Sequence, residues 1–556
     1  MRVLHIGNIA NNAYNNARIQ RQFGIEADVL CPDYYHIMAC PEWEDADFSG
    51  SVGNDFFPDW WAVALHGFTR PRWFAQGPLD ACLRYLIAFR TRRCSRYWWW
   101  LLNLDRWLLC RRSDFATRVH AWIRTDTAIQ YRWNTFLGMT AYQLGHVASK
   151  FAHRQQHELT TKQQTLGRAI KVALALAQVW RSIKSLVKKE VSATLEEFAF
   201  RSFRIAHTAH WYRQDGRCDR EVAKRVTALA QVYPAFAELV ESVSLIQIKD
   251  IVIGFWHPYL RRLLEHYDIV QAYATYTVMP LLAGRRDFLA YEHGTIRKIP
   301  FERTIEGQLC ALTYREARAV FVTNSDNLKA AARLGLRQEQ IVYLPHAFDN
   351  AKLERFGLDY AYNETRQISV PRFFSPARQH WLDQDPGWAK GNDRVIRALR
   401  LTLDRGHLCQ LRLVAWGNDV EVSRALIKEL GLEAYVEWVP PMRKRELWRE
   451  YMEACAVLDQ FVVPSMGGVT FEAMALKRRV ITAIDAALTT QFFGEAPPIF
   501  ACSSAEEIAD AMCSILSDPT DQEGRGALNL AWIRKYHSAR RIVELQLGTY
   551  QRILEG

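Results

Sequence analysis

Gly467, Gly468 and Glu472 stand close together in the run 463–482, VPSMGGVTFEAMALKRRVIT. Their types and spacing suit a phosphorylated ligand. Glycine lets a backbone approach a bound group where a Cβ would obstruct it. The residues that follow read as a helix, and a helix N-terminus offers unpaired N–H groups and a positive dipole end to an anion. Glu472, near that end, could accept hydrogen bonds from a ribose diol. The same residues equally suit a loop that needs glycine for its turn and Glu at a helix start, because a Gly-Gly pair before a helix is not specific. Positioning them requires an apolar strand before the glycines and a second after the helix, at 480–483.

Other segments repeat that order. Residues 341–349, IVYLPHAFD, read as a short strand and turn. FFSPAR at 373–378 follows, then AKGNDRVIRAL at 389–399, where a helix starts just after Lys390, then a strand and glycine in LRLVAWGND at 411–419. Near the N-terminus, the apolar run 2–7, RVLHIG, reads as a first strand ending at Gly7. A loop crowded with Asn8, Asn11, Asn12, Asn15 and Asn16 comes next, then a helix stopped by Gly24 and a second strand from Ala27. This is a βαβ start, whose first strand end should face a ligand crevice. The asparagines could supply amide contacts to a sugar or diphosphate, or simply stabilise turns. The strand FLAYEHGT at 288–295 ends in Glu292, His293 and Gly294, ahead of VFVTNSD at 320–326.

The succession of strand, basic residue, helix, strand, glycine and then strand-Gly-Gly-Glu-helix resembles the C-terminal half of GT-B glycosyltransferases. It is most similar to the retaining family 4, whose members carry an EAM-type helix. The resemblance spans about 320–550 and is fainter at 1–50 and 265–320. It implies that Arg378 and Lys390 neutralise the donor diphosphate, although the gap between them is longer than the family's. It implies that Gly467 and Gly468 form the later loop and that Glu472 holds the ribose. It implies that Gly417 makes a turn giving room to the nucleotide, and that His293 lies near the donor sugar. Two departures stand out. Where the family has a further Glu eight positions before the last, this chain has Pro464, so Asp459 or Gln460 would have to substitute. LKRR at 476–479 replaces the family's small-Gly-basic-Pro turn.

With 556 residues the chain has room for two or three domains. Its 49% hydrophobic and 24% charged residues are ordinary globular composition. The 11 cysteines, odd in number and without a C-x-x-C spacing, argue against a disulfide framework or zinc ribbon and suit a reducing cytoplasm. No signal peptide and no uncharged run long enough to span a bilayer is legible. The formal charge is +11, and from Arg70 to Arg118 there are 11 Arg against 3 Asp, or 11 − 3 = +8. Tryptophans and tyrosines interleave these arginines, as in RYWWWLLNLDRWLLCRR, which suits an interfacial segment on a membrane. An apolar stripe through Val172, Leu176, Val179, Ile183, Leu186 and Val187 is flanked by Lys171, Arg181, Lys184, Lys188 and Lys189; it suits a core helix with a basic outer face, or a membrane surface. No nucleic-acid module is legible.

These readings predict an α/β protein of GT-B class, two Rossmann-like domains facing a cleft, with a large helical insertion in the first. Residues 1–340 would bind the acceptor and hold the insertion at about 55–250. Residues 341–556 would bind a nucleotide sugar, with the last helix a candidate to cross back. The expected activity is metal-independent transfer of a hexose, with retention, to a lipid-linked or surface-glycan acceptor in polysaccharide biosynthesis. The catalytic candidates are His293, Arg378 and Lys390; the donor-binding candidates are Gly7, Asn8, Gly417, Gly467, Gly468 and Glu472. No cofactor, metal or nucleic acid is expected. The expected partners are a nucleotide sugar, a glycan or lipid-linked acceptor and an anionic membrane, and the expected location is cytoplasmic, peripheral on the inner membrane face. The alternatives are a sugar-nucleotide epimerase of the same fold and a non-catalytic, membrane-associated assembly protein.

Overall fold

The computed structural model describes residues 1–104, 106–107, 224, 226–242, 255, 257–363, 370–383, 389–518 and 521–555. The chain forms two compact units. One comprises 52–61 and 104–224; its described part contains an antiparallel pair, Gly53–Asn54 against Phe57–Pro58. The other, comprising 1–51, 62–103 and 225–556, contains two parallel sheets and both strand-loop-helix motifs read from the sequence.

In the first sheet the strands are β1 (Arg2–Ile6), β2 (Glu26–Pro32), β3 (Phe74–Gly77), β4 (Ile269–Tyr273), β5 (Phe288–Glu292), β6 (Ala319–Val322) and β7 (Ile341–Tyr343), in spatial order β3-β2-β1-β4-β5-β6-β7. In the second they are β8 (Arg372–Ser375), β9 (Gln410–Val414), β10 (Val436–Val439), β11 (Ala456–Leu458), β12 (Val480–Thr482) and β13 (Phe500–Ala501), in order β10-β9-β8-β11-β12-β13. Every pairing in both sheets is parallel. Helices cover parallel sheets on both faces, so their strands read as continuous apolar runs. β4 and β5 are accordingly buried along their whole length.

Both strand orders reverse direction once, between β1 and β4 (Val3 opposite Ile269) and between β8 and β11 (Phe373 opposite Ala456). In doubly wound sheets ligands bind at these switch points, beyond the carboxyl ends of the strands. The residues leaving those strands are therefore placed for binding: Gly7 and Asn8 after β1, Ala274 after β4, Arg378 after β8, Asp459 and Gln460 after β11. Ala10 and Ala274 hold φ of 50° and 52° at the first sheet's strand ends, a conformation alanine seldom adopts.

Helices α1 (Asn12–Gln22), α2 (Pro41–Asp45) and α3 (Leu79–Thr91) flank the first sheet; α4 (Asn350–Asn363), α5 (Asn392–Asp404), α6 (Lys444–Glu453) and α7 (Gly468–Ala475) flank the second. α5 buries Val395, Ile396, Ala398, Leu399 and Thr402, the helical spacing expected of a core-facing stripe. Helices α8 (Asp521–Tyr536) and α9 (Ala539–Glu555) close the chain. α9 returns to the first sheet through a buried amide and phenol network. Gln546 Nε2 donates to Asn16 at 2.6 Å, Gln20 Nε2 to Gln546 and Tyr550, and Tyr550 OH to Gln271 on β4 at 2.6 Å. His5 on β1 completes it, bonded to Gln20 and Tyr273.

Three expectations change here. Phe74–Gly77 pairs with β2 and α3 follows it, so this part of 55–250 belongs to the first sheet, not to a helical insertion. β7 pairs with β6, so the first sheet runs past residue 340. Several arginines of the basic segment are internal ion pairs: Arg70 with Glu42, Arg84 with Asp80, Arg90 with Asp28. Residues 108–223, with Arg111, Arg112, Arg118 and the 172–187 stripe, lie outside the described residues.

Candidate functional site

Lys390 precedes α5 and is fixed by its backbone: its N–H donates to His380 and its carbonyl accepts from Phe461. Its ammonium donates to Gln460 Oε1 at 2.5 Å. Burial lowers its pKa, Asp459 opposes this, and Arg378 and Arg297 add to it. Four groups thus share one electrostatic neighbourhood: Lys390, Arg378 and Asp459 from the second sheet and Arg297 from the loop after β5.

Arg378 is placed by Gly417. That glycine has φ of +108°, and a Cβ on it would lie 2.4 Å from the Gln379 carbonyl and 2.8 Å from Arg378 Cγ. Gln379 N–H donates to Trp416 O at 2.9 Å, and Asp419 accepts from the Trp381 and Leu382 N–H groups. The space beside Gly417 is therefore filled by the Arg378 loop. The guanidinium Cζ stands 6.0 Å from the Trp416 ring centroid.

Gly467 is the N-cap of α7 and Gly468 its first residue, exposed and with nothing within 4 Å of an added Cβ. The helix end is met by Asp459, whose carboxylate accepts from the Thr470 hydroxyl at 2.7 Å. Burial raises the Asp459 pKa, while Lys390 and the Thr470 hydroxyl lower it. Pro464, on the loop between, is exposed. Glu472 accepts from Lys444 Nζ at 2.8 Å on one oxygen and from Trp448 Nε1 at 3.1 Å on the other. The LKRR turn is accounted for by packing. Lys477 takes the positive φ of +57° that a glycine would supply, and Arg478 and Arg479 donate to the Met452, Cys455 and Asp518 carbonyls.

On the first sheet, Gly7 (φ +89°) makes way for Tyr276, whose ring carbon would lie 2.4 Å from an added Cβ. Asn8 is saturated: it donates to Asn11 and to Ala39 O, and accepts from Tyr14 N–H. Its amide holds the β1–α1 loop together. His293 follows β5 with Nδ1 buried and without a hydrogen-bond partner among the described residues. Burial, aided by Arg297, lowers its pKa to about 4, so the ring is neutral at physiological pH. Arg297 lies over Gly294 and pairs in a fork with Asp326, at 2.5 and 3.1 Å.

The fold thus gathers Arg378, Lys390 and Asp459, and through Arg297 also His293. Glu472 and Asp459 both act on the buried Tyr451 phenol. Asn8 and Gly7 are engaged internally. Arg297, Lys444 and Trp448 were not singled out from the sequence. Only Arg297 carried a signal there, standing three residues after the strand-end Gly294. Among the described residues no group of three or more His, Cys, Asp or Glu is placed to hold a metal ion, and no helix is long and apolar enough to cross a membrane.

Comparison with known proteins agrees on class. Residues 384–518 match the family model described as glycosyl transferases group 1. No curated protein matches the sequence. Among solved structures, HepE of Anabaena in complex with UDP is 16% identical, over 54% of this chain and 84% of its own, with a TM-score of 0.42. Sucrose-phosphate synthase of Thermosynechococcus elongatus is 18% identical, over 54% and 78%, with a TM-score of 0.39. The lipopolysaccharide outer core galactosyltransferase WaaB is 13% identical, over 56% and 82%, with a TM-score of 0.40. Likeness at this level is a partial likeness of fold alone. The two doubly wound parallel sheets agree with the GT-B fold, and the family match lies over the second of them.

Proposed function

We propose that the chain transfers a sugar from a nucleotide sugar to an acceptor, with retention of configuration. The observation that carries this reading is the convergence of Arg378 and Lys390 at the β8/β11 switch point, beside the glycine-led end of α7. The second sheet would hold the donor, with Glu472 on the ribose and the two cations on the diphosphate. As the bond from the sugar's anomeric carbon to the diphosphate breaks, negative charge grows on the leaving oxygens. Cations already fixed by their backbones stabilise that charge without reorganising, the largest single contribution in many enzymes. The acceptor oxygen bonds to the anomeric carbon as the bond to the diphosphate breaks, and its proton passes to the departing diphosphate oxygen. Neutral His293, with a free ring nitrogen, is suited to hydrogen-bond a sugar hydroxyl. The hexosyl nature of the donor, independence from metal and a lipid-linked or surface-glycan acceptor complete the proposal.

One observation favours a second reading, a non-catalytic GT-B assembly protein. The Asp459 carboxylate already sits at the end of α7, accepting from the Thr470 hydroxyl at 2.7 Å, where a phosphate would compete with it. Incubation with a panel of nucleotide sugars distinguishes the two. A transferase releases nucleoside diphosphate, and an assembly protein releases none at any donor concentration. An epimerase would return an isomerised nucleotide sugar without releasing diphosphate.

A further inference from the structure

The carboxylate of Glu472 is held from two sides. Lys444 Nζ donates to Oε1 at 2.8 Å and Trp448 Nε1 to Oε2 at 3.1 Å. A carboxylate has about four acceptor positions, so both oxygens keep capacity for further donors. Lys444 and Trp448 lie one helical turn apart on α6, and the Glu472 side chain is only 12% exposed, so its rotamer is set by these contacts. Lys444 is in turn held from the other half of the molecule. Its ammonium lies 3.0 Å from Glu44 Oε2 on α2, which follows the first sheet's second strand. The neighbouring residues fasten the same seam: Arg443 donates to Phe48 O, Arg445 pairs with Asp47, and Lys352 donates to Glu44 O at 2.6 Å. A cavity of about 250 Å³, lined by Glu44, Lys444 and Trp448 among others, adjoins these contacts.

We propose that Lys444 is a positioning residue for ribose recognition by Glu472, and that Glu44, by holding Lys444 from the first sheet's side, couples that recognition to the contact between the two halves. This rests on the assignment of Glu472 to the ribose under the function proposed above. The physical argument is one of pre-organisation. A carboxylate locked in a single rotamer loses little freedom when a diol binds, whereas a loose one loses more and binds less tightly. One ammonium between two carboxylates leaves the cluster one negative charge in excess, which suits a neutral hydroxyl donor better than an anion. Without Lys444, Glu472 would lose the cation it shares with Glu44 and keep only its bond from Trp448, so its rotamer would be less restricted.

The experiment is calorimetric titration of the full chain with UDP, GDP and ADP, each paired with its 2′,3′-dideoxy counterpart. The base bound most tightly sets the pair. The readout is the ratio of the two affinities, which isolates the ribose hydroxyls. The wild type is expected to prefer the ribose form by roughly tenfold or more, as charged hydrogen bonds do. Lys444→Met should bring that ratio close to one while binding the dideoxy form nearly as before. Lys444→Arg should recover part of it, and Glu44→Gln should lower it by a smaller factor. A Lys444→Met protein that weakens both nucleotides equally, or keeps the wild-type ratio, overturns the positioning role. A Glu44→Gln protein with the wild-type ratio removes the first sheet from the device. If the wild type binds no nucleotide, or Glu472→Gln keeps the full ratio, the ribose assignment itself fails.

Discussion

Replacing Glu472 by Gln keeps the shape of the side chain and removes its charge. The diol bonds then become neutral, and charged hydrogen bonds contribute about 1.5–3 kcal/mol, so donor affinity is expected to drop by about tenfold or more in a calorimetric titration. An unchanged affinity would take Glu472 out of the site. The cations act differently. Charge on the leaving diphosphate is greater in the transition state than in the bound donor, so Arg378→Ala and Lys390→Ala should lower kcat more than they raise KM. Lys390 is the more telling of the two because its ammonium is bonded to Gln460 and faces Asp459. Removing it leaves a buried carboxylate at the end of α7 without its counter-charge. If both variants turn over at the wild-type rate with an unchanged circular-dichroism spectrum, the leaving group is neutralised elsewhere, and Arg297 is the next cation to test.

Between elements, the β8 and β9 loops are joined at Gly417. Gly417→Ala places a Cβ against the Gln379 carbonyl at a φ that alanine resists. The Arg378 loop must shift, and misplacement by about 1 Å can cost on the order of a hundredfold in rate. Turnover should therefore fall while far-ultraviolet dichroism and nucleotide-free melting change little; wild-type turnover would show that Arg378 need not sit where it does. A second joint lies where the C-terminal helices return. His5 on β1 and His537 after α8 are fully buried, and burial lowers both pKa values to about 4, from 6.5 in an unfolded chain. Above pH 6.5 both states are neutral and nothing is lost. As pH falls from 6.5 to about 4 the unfolded chain takes up protons that the folded one refuses, at about 1.4 kcal/mol per pH unit for each residue. Urea midpoints should fall across this window, and His5→Gln/His537→Gln should flatten the slope; equal slopes would assign the loss to other groups. The same joints show what was legible in the sequence. Strand ends such as Gly7 and His293 stood out because an apolar run stops at them. β3 did not, because FAQG is four residues long, without alternation, inside an arginine-rich stretch. Lys390 could be seen beside its helix, but not its partner Gln460, seventy residues on. Nor could local pattern show that Asn8 is saturated, since its partner Ala39 lies beyond the next strand.

At the scale of the whole molecule, the formal charge of +11 is unevenly spread. Arg70, Arg84 and Arg90 are spent on internal ion pairs, but the turn after α3 is different. Arg92, Arg93 and Arg96 are exposed there, beside Tyr97 and Trp100, which are 53% and 52% exposed, and residues 95–104 are helical. Exposed arginines in a turn and at the start of the helix that it opens, followed by exposed aromatic rings on that helix, are suited to the headgroup region of an anionic bilayer. Each Lys or Arg near such a surface contributes about 1 kcal/mol, fading within a Debye length of about 8–10 Å. Inserted Trp and Tyr rings would add a part that salt does not screen. Co-sedimentation with vesicles should therefore rise with the fraction of anionic lipid, and fall without vanishing as salt is added. Replacing Arg92, Arg93 and Arg96 together by Gln should weaken sedimentation by up to about a hundredfold, since three charges contribute about 3 kcal/mol, while nucleotide affinity in the second sheet stays at the wild-type value. A lipid-linked acceptor would then be met at the surface that holds the enzyme, on the side of the first sheet. If the wild type ignores anionic vesicles at low salt, these arginines and rings serve some other contact, and a soluble acceptor becomes the better expectation.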